Sequence, residues 1–101
     1  MCGAPVQTAA PPAGVDLTRE TVLQGRVLAG RDGSGVGGAF VRLLDGGGEF
    51  TAEVVTSATG HFRFFAAPGS WTVRALHRTG TGTAAVTAGG PGLHTVDVPI
   101  N

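Results

Sequence analysis

Short runs of alternating apolar residues, cut at close intervals by glycine, constrain this chain more than any other feature. From about Glu20 onward the runs fall at Thr21–Leu28, Ala39–Leu44, Phe50–Thr56, His61–Phe65, Trp71–Leu76, Thr83–Ala88 and Leu93–Ile100. Each carries at least part of the period-2 pattern of a half-buried strand. Between them lie Gly30–Gly38, Gly46–Gly48, Ala58-Thr59-Gly60, Pro68-Gly69, Thr79–Gly82 and Gly89–Gly92. That is the chemistry a chain needs to reverse direction, and no segment with a helical period competes with it. Eighteen glycines and 6 prolines among 101 residues leave room for one modest core and argue against long helices. The expectation is an all-β domain over residues 20–101, a seven-stranded antiparallel β-sandwich.

Alternation also predicts faces. Leu23, Val27, Ala39, Val41, Leu43, Phe62, Phe64, Trp71, Val73, Ala75, Val96, Val98 and Ile100 share the inward phase. Trp71 is expected to be the largest contributor to the core. The outward phase carries Phe40, Arg42 and Leu44, then His61, Arg63 and Phe65, then Thr72, Arg74 and Leu76. Arginines beside aromatic and aliphatic side chains suit a protein interface. Phe40, Arg42, Arg63, Phe65, Arg74 and Leu76 are therefore the candidate partner-binding surface.

Residues 1–19 differ in character. Pro5, Pro11 and Pro12 among alanines, with few large apolar side chains, predict a flexible tail. It carries the only cysteine, Cys2, so no intramolecular disulfide is available. With no basic region or apolar run of secretory type and no run of transmembrane length, a soluble cytoplasmic protein is expected. Lys+Arg and Asp+Glu balance at 7 each, which provides no field to attract nucleic acid or an anionic membrane. All seven cations are arginine, so lysine Schiff-base and isopeptide chemistry is excluded.

Other motifs carry little chemistry. His61, His77 and His94 lack the short spacing of a metal site, and no metal or cofactor is expected. Gly33, Gly35 and Gly38 satisfy G-x-G-x-x-G, but a strand follows where a phosphate-binding turn must enter a helix. Ser34, Ser57 and Ser70 lie in no nucleophile elbow. No enzyme active site is legible.

Leu23-Gln24-Gly25-Arg26-Val27, Val36-Gly37-Gly38-Ala39-Phe40-Val41, Thr56 through Phe64 and Ala67 through Val73 together resemble carboxypeptidase regulatory-like repeats, of prealbumin-like fold. The match spans about residues 20–100 and implies a binding or scaffolding module. Met1-Cys2-Gly3-Ala4-Pro5, Val54-Val55-Thr56 and Trp71 through His77 resemble, more closely, a small actinobacterial family of unassigned function. Its genes commonly lie beside a thiosulfate sulfurtransferase (rhodanese) gene, and its members are labelled sulfur carriers. The resemblance implies an accessory role to a sulfurtransferase, with Cys2 accepting persulfide sulfur. Removal of Met1 would leave an α-ammonium beside the Cys2 thiol and favour the thiolate. A tail of this length reaches ~60 Å when extended and averages ~24 Å as a flexible coil. The alternative is a scaffolding module in which Cys2 has no part.

Overall fold

The computed structural model describes residues 16–101, and within them it is all-β, with eight strands in two four-stranded sheets. In chain order these are β1 (Thr21–Ala29), β2 (Phe40–Leu44), β3 (Phe50–Val55), β4 (His61–Phe65), β5 (Gly69–His77), β6 (Gly80–Ala88), β7 (Gly92–Thr95) and β8 (Val98–Ile100). One sheet runs β4-β1-β7, with β8 also on β1; the other runs β3-β2-β5-β6. Asp16 anchors a turn ahead of β1, accepting bonds from the Arg19 and Glu20 amides at its carbonyl and from the Thr18 amide at its carboxylate.

The expected two-layer arrangement is observed, but the seven-strand, wholly antiparallel expectation is corrected in two respects. First, β7 and β8 pair with β1 in parallel. Alternation reports a strand's faces and not its direction, so this pairing had no local signal. Secondly, the expected final strand is interrupted at Val96 and Asp97. Gly25 explains the interruption: a Cβ built there would lie 1.6 Å from the Val96 carbonyl oxygen. The Val96 backbone therefore occupies the space a side chain on β1 would fill. The ladder is bridged by the Val96 amide donating to the Gln24 carbonyl at 2.8 Å, and by the Arg26 amide donating to Asp97 Oδ1 at 3.1 Å. An aspartate side chain thus replaces a backbone acceptor.

The expected turn at Thr79–Gly82 is also shorter than its glycines suggest, since β6 begins at Gly80. Gly82 is a close-approach site, where a Cβ would meet the Pro99 carbonyl at 2.0 Å as β8 crosses over β6.

The core holds Leu23, Val27, Val41, Leu43, Phe62, Phe64, Val73, Val98 and Ile100, all in their expected phase, together with Val54 and Ala88. Phe62 is the largest fully buried side chain and packs tilted against Phe64, with ring centroids 6.0 Å apart. Trp71 is corrected from core plug to rim: it is only partly buried, and its Nε1 donates to the Ala67 carbonyl at 2.8 Å. An indole N–H needs an acceptor, and the rim supplies one. Thr56 is buried because its hydroxyl closes the sandwich end, donating to the Val36 carbonyl at 2.7 Å and accepting the Ala39 amide at 2.9 Å.

Candidate functional site

The two sheets divide the six expected surface residues. Phe40, Arg42, Arg74 and Leu76 come together on the outer face of β3-β2-β5-β6. Strand register sets Phe40 beside Leu76 and Arg42 between Arg74 and Glu53. Phe40 is 44% exposed. With Leu76, Gly38, His77, Arg78 and Thr81 it lines an open depression of about 420 Å³. Arg42 Nε donates to Glu53 Oε2 at 2.8 Å, a surface ion pair of small energetic weight that ties up this guanidinium. Arg74 has no carboxylate partner among the described residues. The face thus offers an aromatic and aliphatic pair beside Arg74 and Arg78, neither of which has a carboxylate partner among the described residues.

Arg63 and Phe65 lie on the other outer face, because β4 pairs with β1 and not with β2 or β5. There the cross-strand rows are Phe65–Val22–Leu93, Arg63–Gln24–Thr95 and His61–Arg26, with Asp97 beyond Arg26. The last two rows line a shallow cavity of about 230 Å³. Arg26 is held over its rim by Nε and Nη2 bonds to the Thr59 carbonyl, each 3.2 Å. Arg63 Nε is enclosed and has no hydrogen-bond partner among the described residues. The inward phase of Leu23 and Val27 was legible from alternation, but the grouping of Gln24, Arg26 and Asp97 with His61 and Arg63 was not, since it joins segments 71 residues apart.

Each histidine is satisfied locally. His61 Nδ1 meets the Thr59 hydroxyl at 2.8 Å, His77 Nδ1 the Thr79 hydroxyl at 2.7 Å, and His94 Nε2 the Gly90 carbonyl at 2.9 Å. No three or more His, Cys, Asp or Glu gather into a metal-sized group among the described residues. Ser57 serves the β3–β4 turn, its hydroxyl accepting the His61 amide at 3.1 Å. The glycines at 33, 35 and 38 lead into β2. Asp32 takes bonds from the Ser34 amide and then the Ser34 hydroxyl, which hold its carboxyl below the ordinary carboxylate value. Cys2 lies outside the described residues. No described helix is long and apolar enough to cross a membrane.

Comparison with solved structures places this geometry among β-rich domains found in dioxygenases. Catechol 1,2-dioxygenase from Acinetobacter sp. ADP1 superposes with a TM-score of 0.62 at 13% identity. The match covers 98% of this chain and spans 59% of that enzyme's chain. The dioxygenase domain of a carbohydrate-binding fusion from Streptomyces sp. SirexAA-E gives a TM-score of 0.61 at 15% identity, covering 98% of this chain and 90% of that one. At such identity the likeness is one of fold alone. The family described as a protein of unknown function, DUF1416, matches residues 2–100, and the chain belongs to it. Two Mycobacterium tuberculosis (H37Rv) relatives, the uncharacterized proteins Rv0814c and Rv3118, are each 64% identical over 100 residues, 99% of both chains. A Mycolicibacterium smegmatis relative is 66% identical over 89 residues, covering 88% of this chain and 98% of its own.

Proposed function

We propose that this chain is a non-catalytic partner of a thiosulfate sulfurtransferase, acting in the reducing cytoplasm without a cofactor. The sandwich docks on the enzyme and Cys2 accepts its sulfur. The observation that supports docking is the face of Phe40, Leu76 and Arg74, where an exposed aromatic, an apolar depression and an uncommitted guanidinium adjoin. Aromatic and arginine side chains are the usual anchors of protein interfaces. Support for the sulfur step comes from the family resemblance, which implies Cys2 as the acceptor.

The transfer balances without an added oxidant. The Cys2 thiolate attacks the outer sulfur of the enzyme's cysteine persulfide, a new S–S bond forms on Cys2, the enzyme's S–S bond breaks, and the enzyme thiolate leaves. The test is mass spectrometry of the chain after incubation with sulfurtransferase and thiosulfate. A gain of one sulfur atom, lost on reduction and absent from Cys2→Ser, is expected; an unmodified wild-type chain overturns the carrier role.

A second reading, a scaffolding module with no sulfur transfer, is favoured by a docking face whose residues all lie on strands of the sandwich. Charge reversal separates the parts. Arg74→Glu is expected to weaken the complex about tenfold or more in either reading, whereas Cys2→Ser leaves affinity unchanged in the second. Titration of the complex by calorimetry checks both, and unaltered affinity for Arg74→Glu removes this face from the interface.

A further inference from the structure

The two sheets present their edges at β4, β7–β8, β3 and β6. Unpaired strand edges invite pairing with another chain, and natural sheets blunt them with charge, proline or irregular register. Three of these edges are blunted: β4 by His61 and Arg63, the β7–β8 edge by Asp97 and Pro99, and β3 by Glu53 with a register shift opposite Leu43 and Leu44. The nine residues of β6, Gly80–Ala88, include no charge and no proline.

The direction of its free backbone groups can be read from one contact. The Thr81 amide donates to the Asn101 carbonyl, and the Asn101 amide to the Thr81 carbonyl, both at 3.1 Å. Thr81 therefore points its amide and carbonyl away from β5. In a strand these directions repeat every second residue, so Thr83, Ala85 and Thr87 present theirs on the same side. Among the described residues, β5 is the only strand that pairs with β6, and no other backbone group meets these three. Among the described residues, Asn101 closes the edge only at Thr81 and leaves Thr83–Thr87 open.

We propose that this edge pairs with itself: a second copy of the chain lies antiparallel along Thr83–Thr87, about a twofold axis at Ala85. The sequence of the window is nearly palindromic, Thr-Ala-Ala-Val-Thr. Self-pairing sets Thr83 against the partner's Thr87, Ala85 against the partner's Ala85, and Ala84 against the partner's Val86. Each outward residue then exchanges amide and carbonyl bonds with its opposite number, which is an isologous interface that closes at two copies. On the outer face, threonine meets threonine. On the inner face, Ala84 and Val86, only partly buried against the core, gain cover. No charge opposes approach, since the window is uncharged and the chain's formal net charge is zero. The β3-β2-β5-β6 sheet would run on through the twofold axis and bring two Phe40–Leu76 faces onto one continuous surface. This pairing is independent of Cys2.

Sedimentation velocity over a rising concentration series, with amide hydrogen exchange on the same samples, tests it. Wild type is expected to pass from monomer to dimer, with the Thr83, Ala85 and Thr87 amides becoming protected in step. Ala85→Pro removes an outward amide while leaving the β5 ladder intact, as proline is tolerated on an edge, and should weaken the dimer about tenfold or more. Ala85→Lys, which sets like charges opposite each other across the axis, should do the same and stands in if the proline variant unfolds. A wild type that stays monomeric at millimolar concentration, a dimer unaffected by Ala85→Lys, or protection confined to other strands overturns the proposal.

Discussion

Two residues decide more than their size suggests. Gly25 is needed because the Val96 carbonyl passes where its Cβ would be. Gly25→Ala should therefore force β7–β8 off β1 and cost about 2–3 kcal/mol, read as a lowered urea midpoint. Thr56 joins Val36 to Ala39 through one buried hydroxyl. Thr56→Val leaves an amide and a carbonyl unpaired and should cost about 2 kcal/mol, while Thr56→Ser should recover most of it in the same unfolding measurement. Asp32 supplies a pH dependence of known sign. Its folded carboxyl is held below the ordinary value by Ser34, so its stabilisation is present above the ordinary carboxylate range and lost as pH falls through the lowered one. Asp32→Asn should flatten stability against pH in that acidic window, and an unchanged acid limb would show that the Ser34 bonds do not act on stability.

At the level of strands, period-2 alternation was a dependable guide to faces and a poor one to company. β4 occupies the residues its pattern predicts, with Phe62 and Phe64 inward. Yet Arg63 and Phe65 do not join Arg42 and Phe40, because sheet membership depends on which strand β4 meets after the turn at Gly60. Trp71 shows the same limit, since its phase predicted burial and its indole N–H took it to the rim beside Ala67. Acrylamide should therefore quench its fluorescence substantially, and a fully shielded indole would contradict the rim position. Outward residues were legible as outward; the cavity of Arg26, His61 and Arg63 required the pairing of β1 with β4 and β7.

For the molecule as a whole, the dominant constraint is the distance along the chain between partners. β1 sits at the centre of its sheet and is completed by β7 and β8, some 71 residues later. Loop-closure entropy must be met before such contacts reward it, so refolding is expected on the millisecond-to-second scale of sandwiches. Stopped-flow Trp71 fluorescence checks this, and microsecond completion would contradict it. Local chemistry along the chain determined the all-β class, the positions of most turns and nearly the whole core, because alternation and glycine act over two to four residues. The parallel pairing of β1, the break at Val96–Asp97, the division of the candidate surface between two faces and the open edge of β6 were decided only in the tertiary structure. Each depends on which distant backbone arrives alongside, and a strand's own side-chain pattern is the same whichever neighbour it meets.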